Sequence, residues 1–242
     1  MSPFLVDWNG DGLIDLLVGT GTILFYLNTG SNKNDPIFTR QNDTNNPFKD
    51  IPPIDWNDTP SPVLCDLNND GRLDLIIGTW TGTIQYYSNN GTGFVAKNSP
   101  TDPFYLVTSN SASLTEGVAK PSLVDMNDDG KLDLVCGGRN GKIQYYKNIG
   151  TKTDAKFEHQ SGSDNPFNDI FVMPSSPTLG DLNADGIMEL IVGKNDGKFR
   201  FFSSSRCSPN PTCNSRGTCV FSSFSSSSCQ NCANSAGSQW YV

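Results

Sequence analysis

The segment that decides the fold is DLNNDGRLDLIIG at residues 66–78, because the chain contains it four times with small variations. The other copies of its first nine residues are DWNGDGLID from Asp7, DMNDDGKLD from Asp125 and DLNADGIME from Asp181, and successive copies are 59, 59 and 56 residues apart. A proline lies four residues before each leading aspartate and a glycine lies twelve residues after it. A repeat of this length indicates a protein built from copies of one structural unit.

Each repeat predicts short β-strands. The apolar runs DLLVG, DLIIG, DLVCG and ELIVG end in glycine, as buried strands do. The runs TILFY, TIQYY, KIQYY and KFRFF then predict a further strand after a tight turn, for which Thr81-Gly82, Asn140-Gly141 and Asp196-Gly197 are suitable pairs. Phe38, Phe94 and Phe157 begin an outer strand in the first three copies. We therefore predict four strands per repeat, with the fourth copy ending after its third strand.

The fold class is predicted to be all-β. A four-stranded antiparallel sheet cannot bury both faces alone, so its recurrence predicts the stacked blades of a β-propeller, here a partial or small ring. The expected propeller covers residues 1–206, with blades at about 2–55, 56–112, 113–172 and 173–206, and a small disulfide-rich tail covers 207–242. Since the fourth copy lacks an outer strand, we expect the chain to be part of a longer secreted or membrane-anchored protein.

The nine-residue loop of each copy is predicted to bind a metal ion. Positions 1, 3 and 5 are Asp, Asn and Asp, position 6 is Gly, position 7 offers a backbone carbonyl, and position 9 is Asp or Glu. Hard oxygen ligands around a flexible turn suit Ca²⁺, with up to four ions per chain. The candidate ligands are Asp7, Asn9, Asp11, Leu13 and Asp15; Asp66, Asn68, Asp70, Arg72 and Asp74; Asp125, Asn127, Asp129, Lys131 and Asp133; and Asp181, Asn183, Asp185, Ile187 and Glu189.

The loop sequence has two other interpretations. An EF-hand begins with the same residues but needs a bidentate Glu at position 12, where this chain has Val18, Ile77, Cys136 and Val192. A polar turn that binds no ion is the remaining alternative, and it applies most to the fourth loop because Glu189 is one methylene longer than its counterparts. The net charge of −8 favours cation binding and argues against nucleic acid or an anionic membrane as the partner.

The loop core D-x-N-x-D-G-x-x-D/E-L, the glycine that follows it, the aromatic third strand and Asn/Asp-Pro-Phe triplets at 46–48, 102–104 and 165–167 resemble the FG-GAP/VCBS repeat family. The resemblance covers residues 2–206 and is specific because it recurs four times. It implies a propeller with a structural Ca²⁺ between the first and second strands of each blade. It also implies a role in adhesion or ligand recognition, and a complete ring of this family often has seven blades.

The last 36 residues contain five of the seven cysteines, which indicates a disulfide module in an oxidising, extracellular compartment. Their spacing resembles an EGF-like module that stops before its sixth cysteine. That resemblance implies pairing of Cys207 with Cys219 and of Cys213 with Cys229, leaving Cys232 unpaired. Zinc binding by the Cys229/Cys232 pair is the weaker alternative, since no second Cys or His pair accompanies it. Cys65 and Cys136 occupy strand positions, where buried free thiols are expected.

No catalytic residues are predicted. His159 is the only histidine, and no nucleophile motif accompanies it. The chain is therefore expected to be a non-catalytic extracellular module that binds a protein or matrix ligand. The alternative is a lectin-like glycan-binding module, or an accessory domain of a carbohydrate-active enzyme. Trp8, Trp56, Trp80 and the tyrosine pairs 86/87 and 145/146 could stack on sugars, but core packing is the preferred interpretation. No stretch is long and apolar enough to span a membrane.

Overall fold

The structure is a computed structural model that describes residues 1–42, 44–54, 60–105, 107, 117–184, 188–194, 196–206 and 238–241. It contains four antiparallel sheets of four strands, and within each sheet the strands follow chain order. The four sheets correspond to the four sequence repeats, so the predicted β-propeller fold is confirmed. None of the helices among the described residues is long and apolar enough to cross a membrane.

The first two blades contain strands at the positions that the repeat predicts. Blade 1 consists of β1 (Ser2–Val6), β2 (Asp15–Gly19), β3 (Ile23–Asn28) and β4 (Phe38–Arg40). Blade 2 consists of β5 (Ser61–Cys65), β6 (Asp74–Gly78), β7 (Ile84–Asn89) and β8 (Phe94–Lys97).

The last two blades repeat this arrangement. Blade 3 consists of β9 (Lys120–Val124), β10 (Asp133–Gly137), β11 (Ile143–Asn148) and β12 (Phe157–Gln160), and a short 3₁₀ helix follows at Gly162–Asp164. Blade 4 consists of β13 (Ser176–Gly180), β14 (Glu189–Gly193), β15 (Phe199–Arg206) and β16 (Ser238–Tyr241).

Strand β16 corrects one prediction. The fourth blade was expected to stop at its third strand, but β16 pairs antiparallel with β15, with Ser203 opposite Tyr241 and Arg206 opposite Ser238. The strand lies beyond the cysteine-rich segment, so it is separated from β15 by far more residues than the other outer strands are from theirs. Residues 207–237, which include all five cysteines of the predicted EGF-like module, lie outside the described residues, as does Trp56.

Glycines in the tight turns adopt the conformations that the sequence predicts. Gly82, Gly141 and Gly197 all have φ between 76° and 80°, in the left-handed region that favours glycine. The turns therefore reverse the chain between the second and third strands of blades 2, 3 and 4.

Three apolar clusters lie between successive blades. Alternation along each strand sends one residue towards the preceding blade and the next towards the following blade. Between blades 2 and 3, for example, Ile76 and Tyr86 of blade 2 pack with Leu134 and Tyr146 of blade 3. Equivalent clusters join blades 1 and 2 and blades 3 and 4. The Phe of each Asn/Asp-Pro-Phe linker also enters one of these clusters, and Phe48, Phe104 and Phe167 are at most 2% exposed.

The innermost strands carry the contacts that stack the blades. Strand β1 contacts β5, β5 contacts β9, and β9 contacts β13. Among the described strands, no contact of comparable extent joins β13 back to β1. The four blades therefore form an open series.

The repeated proline and glycine explain how closely the blades approach. An alanine Cβ at Gly78 would overlap the carbonyl oxygen of Ala119 and the ring of Pro121 in the next blade. Gly19 faces Pro60 and Pro62 in the same way, and Gly137 faces Ser175 and Pro177. The glycine that ends the second strand of one blade is thus required by the proline in the first strand of the next. The sequence shows both residues but not that they pack against each other.

Candidate metal loops and interblade cleft

The predicted metal loops have the same hydrogen-bond geometry in the first three blades. In the second loop, Oδ1 of Asp66 and Oδ1 of Asn68 both lie 3.0 Å from the backbone nitrogen of Asp70. The corresponding distances are 3.2 and 3.1 Å in the first loop and 3.1 and 3.0 Å in the third. The side-chain oxygens of positions 1 and 3 therefore lie close together in each loop.

Position 5 completes this arrangement. Oδ1 of Asp70 accepts a hydrogen bond from the backbone N–H of Arg72 at 3.0 Å. In the same way, Oδ1 of Asp11 accepts from the N–H of Leu13 at 2.8 Å, and Oδ1 of Asp129 accepts from the N–H of Lys131 at 3.0 Å. The glycine at position 6 has φ of 83° in the first two loops and 77° in the third, and its N–H donates to the position 1 carboxylate. Glycine at position 6 therefore makes a sharp turn in each of these three loops.

Cationic side chains at position 7 lie against the position 5 carboxylates of two loops. Nη2 of Arg72 is 2.6 Å from Oδ2 of Asp70, and Nζ of Lys131 is 3.2 Å from Oδ2 of Asp129. Both cations also donate to the backbone carbonyl at the end of the third strand, on Asn89 and Asn148 respectively. Loop 1 has Leu13 at this position, so its carboxylates have no counter-charge from position 7.

The position 9 carboxylates are buried, unlike the exposed loop oxygens. Asp15, Asp74 and Asp133 are 0% exposed. Asp133 accepts hydrogen bonds from the N–H of Asn148 at 2.7 Å and from the hydroxyl of Tyr145 at 2.9 Å. Burial raises the pKa of Asp133, and these hydrogen bonds oppose that rise because they favour the charged form. Position 9 thus ties the loop to the third strand of its own blade.

An asparagine at the end of the third strand belongs to the same hydrogen-bond network. Its role was not predicted from the sequence. The side-chain amide nitrogens of Asn28, Asn89 and Asn148 each donate to the carbonyl of position 8 at 3.1 Å, and their backbone N–H groups bind the position 9 carboxylate. The signal that could have revealed them is an Asn at the same strand end in three copies. The fourth copy has Ser204 there and Glu189 instead of Asp at position 9.

The fourth loop is described only in part. Glu189 is 1% exposed, and it accepts hydrogen bonds from the N–H of Leu182 at 2.7 Å and from the amide of Asn183 at 3.3 Å. Asp185 and Ile187 lie outside the described residues. Glu189 therefore occupies the interior position that aspartate occupies in the other blades.

Loops 1, 2 and 3 each place side-chain oxygens close together on one turn. Among the described residues, no group of three or more Asp, Glu, His or Cys side chains is arranged to hold a metal ion. In loops 1, 2 and 3 the position 9 carboxylate is buried, so two carboxylates and one amide oxygen remain on the outer part of each loop. These are hard oxygen donors, and their chemistry fits Ca²⁺.

A cleft of about 600 Å³ lies between blades 2 and 3. It is bordered by Asn68 of the second loop, by the linker at 99–103, and by the turn between β11 and β12. Tyr105 is 44% exposed at this cleft, and Asp102 contributes a carboxyl whose pKa is raised by burial. The cleft therefore combines an aromatic surface with polar side chains, next to a candidate metal loop.

The other candidate sugar-stacking residues are mostly part of the core. The tyrosine pairs 86/87 and 145/146 are at most 8% exposed, and Trp8 packs against Phe25, Phe48 and Phe94. This confirms the packing interpretation for those side chains. Trp80 differs because it is 46% exposed, with the Arg139 guanidinium 5.6 Å from its ring centre.

Three further residues that stood out in the sequence lie on β-strands: His159 on β12, Cys136 on β10 and Cys65 on β5. Nε2 of His159 lies 2.7 Å from Oε1 of Gln144 on the neighbouring strand. Cys136 is a buried free thiol, as predicted, and burial raises its pKa to about 12. Cys65 is also free but only half-buried.

Comparison with known protein families identifies the repeat. No curated protein matches the chain. A solved structure of an Agrocybe aegerita lectin, described as specifically recognising non-reducing terminal N-acetylglucosamine, is 20% identical with a TM-score of 0.45. The match covers 83% of this chain and 48% of the lectin chain, so this chain spans about half the length of that protein. A family model described as FG-GAP-like repeat matches residues 7–77 and 125–192, which together are more than half of the chain. The chain therefore belongs to the FG-GAP-like repeat family.

Proposed function

We propose that this protein is a non-catalytic extracellular recognition module in which Ca²⁺ bound at the D-x-N-x-D-G-x-x-D/E loops stabilises the propeller. The partner is an extracellular protein or a matrix surface. The observation that supports the metal assignment most is the recurrence of one oxygen arrangement in loops 1, 2 and 3. A sequence under no constraint at these turns would have no reason to repeat the same three side chains at the same positions.

The charge of the loops supports a bound cation. Positions 1 and 5 place two carboxylates on one short exposed turn, and like charges a few ångströms apart repel by about 1 kcal/mol in water and by more where water is excluded. Arg72 and Lys131 offset part of this repulsion in loops 2 and 3, but Leu13 does not in loop 1. A divalent ion would supply the missing positive charge.

Calcium in loop 1 would stabilise more than the turn itself, because the loop is connected to the third strand of the blade. Asp7 and Asp11 belong to the connection between the first two strands, whereas Asp15 at position 9 binds the end of the third strand. When bound, calcium supplies a positive centre for the loop oxygens. Holding the loop in place also holds Asp15 in position, so the effect extends from the turn to three strands of the blade.

Calcium titration tests the assignment. Isothermal titration of EGTA-treated, dialysed protein is expected to show saturable binding of up to four Ca²⁺ per chain. The double variant Asp66→Asn/Asp70→Asn is expected to bind one ion fewer, because it removes both carboxylates from the exposed part of loop 2. The control is Asp50→Asn/Asp169→Asn, which removes two exposed acids outside the loops. The absence of saturable binding at millimolar Ca²⁺, or an unchanged stoichiometry in the loop variant, would contradict the assignment.

The cleft between blades 2 and 3 favours glycan binding as a second candidate function. Sugars bind in clefts where an aromatic ring contacts their C–H groups and fixed polar side chains bind their hydroxyls. Tyr105 supplies such a ring, while Asn68, Asp102 and Lys97 line the same space. Because Asn68 is also position 3 of loop 2, calcium in that loop would fix one wall of the cleft.

A glycan array, run with Ca²⁺ and with EGTA, separates the two functions. For the best glycan found, Tyr105→Ala is expected to weaken binding by about tenfold, which corresponds to a lost stacking contact of about 1.4 kcal/mol. Phe171→Ala is the control, because Phe171 is an exposed aromatic residue (57%) that does not line this cleft. If no glycan binds in calcium, or if the two variants lose affinity equally, the cleft is not a sugar site.

A further inference from the structure

The two ends of the blade series expose surfaces whose counterparts between the other blades are mostly buried. We define the first-blade face as the side of blade 1 turned away from blade 2, which consists of Pro3, Leu5, Leu16, Val18 and Tyr26. We define the fourth-blade face as the side of blade 4 turned away from blade 3, which consists of Leu182, Ile191, Gly193, Phe199 and Phe201. Both faces are mainly apolar.

The first-blade face has buried counterparts in the other blades. Leu5 is 62% exposed, whereas Leu64 at the same position of blade 2 is 5% exposed. Leu16 and Val18 are half-buried, whereas their counterparts in blades 2, 3 and 4 are all 0% exposed. These counterparts are Leu75, Ile77, Leu134, Cys136, Leu190 and Val192. Each of them packs against the preceding blade, whereas no strand among the described residues packs on this side of blade 1.

The fourth-blade face is also more exposed than its counterparts in the other blades. Phe199 is 68% exposed and Phe201 is 42% exposed, whereas Ile84 and Tyr86 at the same positions of blade 2 are 4% and 6% exposed. Leu182 is 59% exposed, compared with 5% for Leu67. In blades 1, 2 and 3 these positions are covered by the following blade.

Proline and glycine provide a second, independent observation. Gly19, Gly78 and Gly137 each face the proline of the next blade so closely that a Cβ would overlap it or the backbone beside it. Gly193 occupies the same position in blade 4, yet an added Cβ would meet nothing closer than Ser176 of its own blade, at 3.7 Å. Pro3 is the counterpart of those prolines and is exposed. Blade 4 thus has the glycine, and blade 1 the proline, of a fourth contact of the same type.

We propose that the first-blade face of one copy of this chain packs on the fourth-blade face of a second copy, with Pro3 opposite Gly193. The contact continues the three interfaces already present between blades, with the same residue types on each side. It is heterologous, so each copy uses two different surfaces. Two copies joined at both ends would form a closed series of eight blades. The proposal does not depend on calcium or on the nature of the ligand.

Light scattering after size exclusion, over protein concentrations from about 1 to 100 µM, tests this contact. The wild-type chain is expected to reach twice its mass of 26.3 kDa. Leu5→Asp and Phe199→Asp place a charge on one face each, and each variant alone is expected to remain at the mass of a single copy. Val95→Asp is the control, because Val95 is an exposed apolar residue (45%) of β8 that belongs to neither face.

Mixing the two variants separates this contact from other modes of association. Leu5→Asp retains an intact fourth-blade face and Phe199→Asp retains an intact first-blade face, so an equimolar mixture is expected to regain a species of two copies through one intact interface. Recovery in the mixture also shows that both variants are folded. A wild-type chain that stays at 26.3 kDa, a dimer that survives either substitution, or a mixture that does not associate would overturn the proposal.

Discussion

Chelating calcium with excess EGTA is expected to lower the melting temperature of this protein by about 10 °C or more. A ligand present at 100 times its dissociation constant adds about 2.7 kcal/mol to the stability of the folded state for each site. For a chain of this size, 1 kcal/mol shifts the melting temperature by about 2–4 °C, so occupancy of two of the four loops already accounts for the expected shift.

The measurement is a thermal melt followed by circular dichroism in millimolar Ca²⁺ and in EGTA. EGTA presaturated with Ca²⁺ at the same ionic strength controls for effects of the chelator itself. The variant Asp66→Asn/Asp70→Asn provides a second comparison, since it should lose part of the calcium-dependent stability and retain the rest. Identical melting curves with free and with calcium-saturated EGTA would rule out a stabilising role for calcium in these loops.

Gly78→Ala is expected to destabilise the propeller by about 3 kcal/mol, at the upper end of the usual cost of overpacking a core. The added methyl group would overlap the backbone of Ala119 and the ring of Pro121. These atoms lie in the first strand of blade 3 or next to it, so blade 3 must shift away from blade 2 to accommodate it. The cluster that contains Ile76, Tyr86 and Leu134 lies at this interface and would lose contacts at the same time.

Urea denaturation compares this variant with a matched substitution in the same blade. Gly93→Ala adds the same methyl group where no atom lies within 4 Å and where φ is not in the left-handed region, so its midpoint should be unchanged or slightly higher. Gly78→Ala should instead show a clearly lower midpoint. Equal midpoints for the two variants would mean that the blades are not packed as closely as the structure describes.

The local parts of this fold were predictable because they depend on residues that are near each other in sequence. Examples are the turns at Gly82 and Gly141, the outer strands at Phe94 and Phe157, and the sharp bend at position 6 of loops 1, 2 and 3. Each of these features is a property of a single segment. Periodicity and glycine placement therefore predict them. Repetition made these predictions stronger, since the turn pairs and the outer-strand phenylalanines each appear in three copies and the loop appears in four.

The geometry of the candidate metal loop was only partly predictable from the sequence, for a physical reason. The spacing of Asp66, Asn68 and Asp70 was sufficient to predict that their oxygens lie together on one turn. It could not show that Asp74 points inward, because that orientation depends on Asn89 and Tyr86, which lie on another strand. Only pairing of β6 with β7 brings those groups within hydrogen-bond distance of the carboxylate.

The amino-acid sequence by itself determined the repeat, the all-β class, the family and the candidate loop ligands. Only the tertiary structure decided what the repeated residues contact. It packs Pro121 against Gly78 and pairs β16 with the fourth blade. It also forms the cleft beside Asn68 and leaves Leu5 and Phe199 exposed at the two ends of the blade series. The physical reason is the range of the interactions. A turn is fixed by bonds within a few residues, whereas a blade interface depends on the fit between surfaces about 60 residues apart, which takes shape only when the sheets stack.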